Sequence, residues 1–356
     1  MVIVVKKGAP EQAIADMVRQ VESVGGQAFV SRGAERTIIG LIGDPDLFSG
    51  LGFRANAWVE NVVRISSKHK LVSREHHQSL SQVRVGQAVF GGGHTTLIAG
   101  PCAVETYEQT LAAALMAKAA GAHMLRGGAY KPRTSPYAFQ GLGRQGLEIL
   151  AQAGAQAGLP TVTEVITPHD VELVTAHVDM LQVGARNMQN FALLQAVGES
   201  GKPVLLKRGL SATIDEWLMA AEYIAQRGSL NIVLCERGIR TYETRTRNTL
   251  DISAVPVLRQ ASHLPVIVDP SHSGGDRSLV LPLARAALAA GADGLIVDVH
   301  ATPHTALCDG PQALRPEDMD ALRHTVTHIS QALGRLRDLG AAPDIEARVE
   351  VRQTVG

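Results

Sequence analysis

This chain has few cysteines and few aromatic residues, and it has no excess of charge of either sign. Its 356 residues include three cysteines, and Phe, Trp and Tyr together make up 4% of them. The cysteines Cys102, Cys235 and Cys308 are an odd and sparse set, which argues against a disulfide scaffold and for a reducing compartment. Lys+Arg and Asp+Glu both number 34, so the formal net charge is zero. No global field therefore favours nucleic acid or an acidic membrane as a partner.

Long hydrophobic runs are also missing. The longest apolar helical stretch, Leu111–Ala117, ends at Lys118 and is too short to span a bilayer. The first residues, Met-Val-Ile-Val-Val-Lys-Lys, have no charged region before their short apolar run, which is unlike a signal peptide. A hydrophobic content of 45% and a charged content of 19% are typical of a globular protein with a large core. We expect a cytoplasmic protein that binds neither nucleic acid nor membrane.

Residues 1–65 are predicted to form a ferredoxin-like βαββαβ unit. The predicted segments are a strand Val2–Val5, a helix from Pro10 to Gly25-Gly26, a hairpin of Ala28–Ser31 and Thr37–Ile42, a short helix after Asp44-Pro45 and a strand Trp58–Ile65. This unit contains no Cys or His, so we expect no catalytic residue in it. The polar stretch 66–80 is predicted to be a linker.

Residues 81–340 alternate short apolar runs with alanine-rich amphipathic segments. Eight such units in about 250 residues predict a (β/α)8 TIM barrel. A doubly wound sheet, the competing fold, needs a glycine-rich dinucleotide turn where this chain has Ala99-Gly100-Pro101-Cys102. The predicted barrel strands are Thr95–Ala99, His123–Arg126, Thr161–Val165, Met180–Val183, Pro203–Lys207, Asn231–Cys235, Pro265–Val268 and Gly294–Asp298. We expect Val83–Phe90 to be a hairpin over the bottom of the barrel and 341–356 to be a surface tail or a contact between protomers.

Each predicted barrel strand ends at a residue that can take part in chemistry. The strand-end residues are Cys102, Arg126, Glu164, Arg186, Lys207, Arg237, His272 and Asp298. The carboxyl ends of all eight strands of a barrel converge on one face, where active sites lie. This joint pattern predicts an active site and is more specific than any one of its members.

Anion binding is the first chemistry that the pattern indicates. Six cations would share the barrel mouth, namely Arg126, Lys131, Arg133, Arg186, Lys207 and Arg237. The loop Arg126–Tyr137 also carries Gly127, Gly128 and Pro132, and open backbone beside cations suits a small anion, although a solvated basic turn is the alternative. Like charges repel unless they share anionic ligands, and the count fits two phosphorylated substrates, one of them with a carboxylate. Structural ion pairs are expected for one or two of the six, with Glu164, Glu236 or Asp269.

Metal binding is the second chemistry that the pattern indicates. Cys102, His272, Asp298 and Asp309 belong to the first, seventh and eighth loops, and only a barrel would bring them together. Thiolate, imidazole and carboxylate suit one divalent ion of the Mn, Fe, Co or Zn class. Each residue taken singly is more often structural, and Cys235 and Cys308 are interpreted as structural.

With these residues the chain resembles the 3-deoxy-D-arabino-heptulosonate 7-phosphate (DAHP) synthases, in particular the short-form type I subfamily with an N-terminal ferredoxin-like domain. The resemblance covers nearly the whole chain. It rests on Gly100-Pro101-Cys102, Arg126–Gly141, Gly184-Ala185-Arg186-Asn187, Leu206-Lys207-Arg208-Gly209, Cys235-Glu236-Arg237-Gly238, Thr246-Arg247-Asn248-Thr249-Leu250-Asp251 and Asp269-Pro270-Ser271-His272-Ser273-Gly274-Gly275.

The resemblance implies condensation of phosphoenolpyruvate with erythrose 4-phosphate, the first step of the shikimate pathway, in a homotetramer. It implies that Arg186, Lys207 and Arg237 bind the phosphoenolpyruvate phosphate, that Arg126 and Lys131 reach its carboxylate end, that Arg133 and Thr134 bind the aldose phosphate, and that Cys102, His272, Asp298 and Asp309 bind the metal. A metal acting as Lewis acid on the aldehyde, Lys131 as proton donor to the alkoxide and Glu164 as proton acceptor from water would complete the chemistry.

Asp298 departs from the family pattern, which usually has Glu there. One methylene less shortens the reach by about 1.5 Å, the length of a carbon–carbon bond. Metal–oxygen distances tolerate only about 0.2 Å. The eighth strand must shift, a water must bridge or the metal preference must change, and we expect that a carboxylate is still needed.

In the family, the ferredoxin-like unit binds aromatic end products and shuts the barrel mouth, so tyrosine or phenylalanine is the expected effector. The alternative is a unit that only supports oligomerisation.

The rival enzyme is 3-deoxy-manno-octulosonate 8-phosphate synthase, whose loop carries Asn-Arg-Ser rather than Lys131-Pro132-Arg133-Thr134. A non-catalytic phosphate-binding regulator is the rival from another class.

Overall fold

The first of two folding units is a small sheet covered by helices. The computed structural model describes residues 1–33, 37–63, 69–75, 77 and 79–335. The elements of this unit are β1 Val2–Val5, α1 Glu11–Ser23, β2 Gln27–Arg32, β3 Thr37–Ile42, α2 Pro45–Ser49 and β4 Val59–Val63. The antiparallel sheet has the strand order β2-β3-β1-β4, which confirms the predicted ferredoxin-like fold. The end of the predicted strand Trp58–Ile65 lies outside the described residues.

The core of this unit follows from the helical spacing of the apolar residues in α1. Ile14, Met17 and Val21 recur at intervals of three and four residues and are buried in one cluster with the sheet residues. Phe48 closes the same cluster beside Gly26, where a Cβ atom would lie 2.4 Å from the Phe48 ring. The glycine therefore leaves the space that the aromatic ring fills.

The second unit is a closed barrel of eight parallel strands, β7 to β14, preceded by a two-stranded hairpin. Its elements are β5 Val83–Val85, β6 Ala88–Phe90, β7 Thr96–Gly100, α3 Tyr107–Ala119, β8 Met124–Arg126, α4 Arg144–Ala157, β9 Thr161–Val165, α5 Val171–Thr175, β10 Met180–Val183, α6 Phe191–Glu199, β11 Val204–Lys207, α7 Ile214–Ala225, β12 Ile232–Glu236, α8 Ala254–Ala261, β13 Val266–Val268, α9 Pro270–Gly274, α10 Arg277–Ala289, β14 Gly294–Asp298 and α11 Pro316–Ala332. Every predicted barrel strand is present, and its ends agree with the prediction to within one residue. The TIM-barrel prediction is therefore confirmed.

The hairpin β5–β6 fills the end of the barrel at which the strands begin. Its side chains Val83, Val85 and Phe90 are buried in one cluster with inward-facing residues of the barrel strands, such as Ile98 and Leu205. The neighbouring residues of Ile98 on β7 belong instead to the cluster under the helices, as the two-residue period of a strand requires. The hairpin thus seals the bottom, and only the opposite end is left for a site.

The structure describes residues 69–75, 77, 79 and 80 of the predicted polar linker 66–80. Residues 69–75 are packed on the barrel. The backbone N–H groups of Leu71 and Val72 donate to the Glu222 carboxylate at 2.9 and 3.1 Å, and Ser262 Oγ donates to Val72 O at 2.6 Å. Leu71 and Val72 also share a buried cluster with residues of β1, β3 and the barrel, Val2 among them. The two units are therefore joined by buried contacts. The predicted tail 341–356 lies outside the described residues.

In the described part of the chain, no helix is both long enough and apolar enough to cross a membrane.

We predict that Phe90→Ala lowers the free energy of unfolding by about 3–5 kcal/mol, because the fully buried ring fills the bottom of the barrel and its removal leaves a cavity. Urea denaturation measures the change. Tyr242→Ala is the control, since that ring is 98% exposed and its loss should change the free energy by about 0.5 kcal/mol or less. A loss below about 1 kcal/mol in Phe90→Ala would show that the hairpin does not complete the core.

Candidate active site

A cavity of about 320 Å³ opens at the end of the barrel where the strands finish. Its walls include ten of the predicted site residues, namely Arg126, Lys131, Arg133, Thr134, Glu164, Arg186, Lys207, Arg237, His272 and Asp309. The two remaining predicted residues, Cys102 and Asp298, do not line the cavity. They are 4% and 0% exposed and lie in contact with its floor. The structure therefore brings all twelve predicted side chains to one place.

The four predicted metal ligands form a compact group at this floor. Their donor atoms all lie within 4.8 Å of one another. His272 Nε2 is 3.9 Å from Cys102 Sγ, 3.7 Å from Asp298 Oδ2 and 3.6 Å from Asp309 Oδ2. One thiol, one imidazole and two carboxylates are a donor set that fits a divalent transition metal.

Asp269, at the end of β13, orients His272 and was missed as a site residue. Its Oδ1 accepts the His272 backbone N–H at 2.8 Å, and its Oδ2 lies 2.9 Å from His272 Nδ1 and 2.5 Å from Lys207 Nζ. Burial alone would raise the pKa of Asp269, but the charges of His272 and Lys207 hold it well below its ordinary value. A carboxylate on the second ring nitrogen fixes the orientation that leaves Nε2 toward a metal.

Asp298 has protein partners on both carboxylate oxygens. Oδ1 forms a buried ion pair with Arg126 Nη1, and Oδ2 accepts a hydrogen bond from Gln312 Nε2 at 2.6 Å. Arg247 Nη1 in turn donates to Gln312 Oε1 at 2.8 Å and lies 3.0 Å from Asp309 Oδ2. Gln312 and Arg247 thus connect the two carboxylates of the metal-donor group.

Cys308, which the sequence analysis interpreted as structural, lies in the site. It lines the cavity, and its Sγ is 3.4 Å from Cys102 Sγ. The contact between the two sulfurs raises the pKa of Cys102 and lowers that of Cys308 to about 7, so that Cys308 loses its proton first. Lys131 Nζ donates to Cys102 Sγ at 3.1 Å, and Arg133 Nη1 lies 2.5 Å from Cys308 Sγ. The sequence offered one indication that Cys308 lies in the site, because this residue directly precedes Asp309, a predicted metal ligand.

Two of the six predicted cations are in ion pairs with carboxylates. Lys207 pairs with Asp269, one of the expected partners, whereas Arg126 pairs with Asp298, which was expected as a metal ligand. Among the described residues, none of the carboxylates forms an ion pair with Arg237, although this side chain is 5% exposed. Burial lowers the pKa of Arg237, which measures the cost of holding its charge out of water. Arg208, outside the cavity wall, pairs with Glu236 and Asp251. The cavity therefore keeps positive charge that an anion can neutralise.

Backbone conformation supports two acidic side chains of the site. Asp309 has φ 54°, and within the described ranges it is the only residue other than glycine with a positive φ. Gly184 lies against Glu164, because a Cβ atom at this position would be 1.8 Å from Glu164 Oε1. The sequence pattern also missed Gln182, which lies in the cavity wall beside Glu164.

The comparisons with known proteins follow the same division into two units. A model of the DAHP synthetase I family matches residues 68–335, and a model of the DAHP synthase ferredoxin-like domain matches residues 1–67. A phospho-2-dehydro-3-deoxyheptonate aldolase of Thermotoga maritima is 50% identical over 334 residues, which cover 94% of this chain and 99% of that protein. A crystal structure of a phospho-2-dehydro-3-deoxyheptonate aldolase (DAHP synthase) from the same organism is 49% identical, with a TM-score of 0.76, and covers 95% of this chain and 99% of the other. A 2-dehydro-3-deoxyphosphooctonate aldolase of Geobacter sp. (strain M21) is 34% identical over 260 residues, 68% of this chain and 94% of that protein.

We predict that Asp269→Asn weakens divalent metal binding about 10–100-fold, because the amide cannot hold His272 and Lys207 as the carboxylate does. Competition with a chromophoric chelator measures the metal affinity. Asp293→Asn is the matched control, a nearly fully buried aspartate that pairs with Arg259 outside the cavity. Equal metal affinities in the two variants would remove Asp269 from the metal centre.

Proposed function

The chain belongs to the DAHP synthetase I family, and we propose that it is a transferase that condenses phosphoenolpyruvate with erythrose 4-phosphate to DAHP and phosphate. The observation that carries this proposal is the composition of the cavity. Seven cationic side chains line one space of about 320 Å³, and a group of metal donors forms its floor. Two phosphorylated substrates, one of them also a carboxylate, supply the anionic groups that such a wall requires.

We infer that phosphoenolpyruvate binds in the part of the cavity between Arg186, Lys207 and Arg237. Arg237 is buried without a carboxylate partner in the described chain, and Lys207 is held by Asp269 at 2.5 Å. A phosphate that accepts hydrogen bonds from Arg237 would offset the cost of burying this guanidinium. Arg126 and Lys131, nearer the metal donors, are the proposed partners of the carboxylate end.

Lys131 is the proposed proton donor. Burial lowers its pKa, but the nearby sulfurs of Cys102 and Cys308 outweigh burial and raise the pKa above its ordinary value, so the ammonium keeps its proton near neutral pH. Its Nζ lies 3.0 Å from Cys102 O, directly beside the metal donors. When carbon 3 of phosphoenolpyruvate attacks the aldehyde carbon, Lys131 gives its proton to the aldehyde oxygen.

Glu164 is the proposed base for the second half of the reaction. Its carboxylate lies in the cavity wall, with Gly184 leaving the space that it occupies. Water adds to carbon 2 of the intermediate and loses a proton to Glu164, and the carbon–oxygen bond to phosphate then breaks. The three cations around the phosphate stabilise the charge that this step leaves on the departing group.

Cys102, His272, Asp298 and Asp309 are the residues that we propose to hold a divalent metal of the Mn, Fe, Co or Zn class. In this assignment Cys102 and His272 take part in catalysis as ligands of the metal ion. Such an ion, when bound, supplies Lewis-acid polarisation of the aldehyde oxygen.

The aldose is proposed to be erythrose 4-phosphate, with Arg133 and Thr134 as its phosphate partners. Both residues line the cavity, and Arg133 contacts Cys308. The 2-dehydro-3-deoxyphosphooctonate aldolase relatives are more distant than the heptonate relative, at 34% against 50% identity. This difference favours the four-carbon over the five-carbon sugar phosphate.

We predict phosphate release from phosphoenolpyruvate with erythrose 4-phosphate and little or none with arabinose 5-phosphate, each assayed with and without a chelator. Chelation should abolish turnover, and added Mn²⁺ or Zn²⁺ should restore it, because the floor of the cavity is a metal-donor set. Preference for arabinose 5-phosphate would identify the octulosonate enzyme. No phosphate release with either sugar and any metal would favour a non-catalytic phosphate-binding regulator.

The first unit is proposed to bind tyrosine or phenylalanine, as control by a shikimate-pathway product would require. It contains a cavity of about 290 Å³ lined by Met1, Phe48, Phe53, Arg54 and Val62 among others. Apolar walls with one cation match an aromatic amino acid, whose ring and carboxylate need partners of both kinds. Feedback requires that the effector bind one arrangement of the protein better than another.

We predict that tyrosine or phenylalanine inhibits phosphate release by the intact protein and that a chain beginning at His69 is active without inhibition. The cut before His69 keeps Leu71 and Val72, whose backbone is bound to Glu222 of the barrel. Arg54→Ala in the intact chain should weaken inhibition without changing activity in the absence of the amino acid. Activity of the intact protein that ignores tyrosine, phenylalanine and tryptophan would end the regulatory proposal and leave oligomerisation as the role of the unit.

A further inference from the structure

Cys308 places a second sulfur at the metal-donor group. Its Sγ is 3.4 Å from Cys102 Sγ, and its neighbour in the chain is Asp309, a member of that group. Cys308 also lines the cavity, whereas Cys102 and Asp298 lie beneath the wall. An ion that enters from the cavity therefore meets Cys308 together with His272 and Asp309.

Asp298 is the weakest donor of the proposed set. Arg126 and Gln312 already occupy its two oxygens, so this carboxylate must share its electrons with two protein partners. Within the described chain, the Cys308 sulfur lies in contact with the group, 3.4 Å from Cys102 Sγ, and no carboxylate or imidazole contact to it is present.

We propose that Cys308 is a further metal ligand, which gives the centre two sulfur ligands and shifts its preference from Mn²⁺ toward Zn²⁺ and Co²⁺. Thiolates favour the softer metals, whereas carboxylate and water favour Mn²⁺ and Mg²⁺. The proposal deepens the metal-dependent function proposed above and rests on it.

Cys308 has a cationic partner in the absence of a metal ion. Binding a metal ion would therefore replace one positively charged neighbour of its sulfur by another. Arg133 Nη1 lies 2.5 Å from Cys308 Sγ, so the sulfur is next to a cation before any metal binds. Cys308 is not one of the four residues whose donor atoms lie within 4.8 Å of one another, so the proposal requires its sulfur to turn away from Arg133 when a metal ion binds. The turn also frees Arg133 to bind an anion in the cavity, the role proposed for it above.

The test is the optical spectrum of the full-length, reduced protein loaded with Co²⁺ in the absence of substrates. Each thiolate bound to Co²⁺ contributes its own charge-transfer absorbance in the near ultraviolet, because a coordinating thiol is deprotonated. We expect Cys308→Ser to lose about half of this absorbance and the ratio of Zn²⁺ to Mn²⁺ affinity to fall about 10-fold or more. The serine oxygen of Cys308→Ser can bind the metal ion in place of the sulfur, so Cys308→Ala is measured as well. This variant should lose the same absorbance.

Cys235→Ala is the matched control, because Cys235 is buried in the barrel interior with the hairpin residues rather than with the metal donors. It should keep the full absorbance and the full metal preference. Unchanged absorbance and an unchanged affinity ratio in both Cys308 variants would overturn the proposal. The spectrum is recorded without substrates and phosphate release is assayed separately with them. Two bound thiolates together with no phosphate release in that assay would support the ligand and reject the enzymatic function, so the two failures are distinguishable.

Discussion

Closure of the barrel between its last and first strands is the constraint on which the metal-donor group depends. β14 pairs with β7 in parallel register from Gly294 opposite Thr96 to Asp298 opposite Gly100. Cys102, two residues beyond Gly100, is thereby brought next to Asp298. Glycine permits the close approach of β14 to β7, because a Cβ atom at Gly294 would lie 2.1 Å from Thr96 O. Gly100 has the same role between β7 and β8, where a Cβ atom would lie 2.0 Å from Arg126 O. A barrel that stayed open here would separate the cysteine from the carboxylate by the width of the sheet.

The same closure sets the balance of charge in the cavity. Two fully buried acids, Asp269 and Asp298, lie behind the wall, and each pairs with a cation and contacts or approaches His272. Their burial is sustained by these partners, since a buried carboxylate without a partner would be strongly destabilising. The acids stabilise the cations nearest the floor, while Arg237 and the exposed Arg186 remain for ligands. The proposed anion site and the metal-donor group are thus adjacent parts of one buried network.

The sequence predicted the strands well because each has an apolar run that ends at a polar residue, and the eight strand ends together gave the members of the site. What it missed was decided by contacts across the barrel. Asp269 was considered only as an ion-pair partner, because nothing in the chain shows that His272 turns back on it. Cys308 was taken for a structural residue, since its neighbour Cys102 is 206 positions away. The polar stretch 66–80 predicted a linker, but a buried glutamate on α7 binds the backbone of its central residues.

The attachment of the first unit limits how an effector can act on the cavity. Residues of the joining segment bind the barrel at Ala261, the last residue of α8, and at Ser262 and His263, which lie between α8 and β13. This is the end at which the strands begin, and the hairpin β5–β6 seals that end. Within one chain the buried contacts of the first unit therefore lie across the barrel from the metal donors. Control of the mouth by direct cover then requires a surface of another protomer, whereas control within one chain requires a change transmitted through strands that are close-packed. Because packed cores resist continuous deformation, the contact between protomers is the simpler physical route, and it links the proposed regulation to the proposed homo-oligomer.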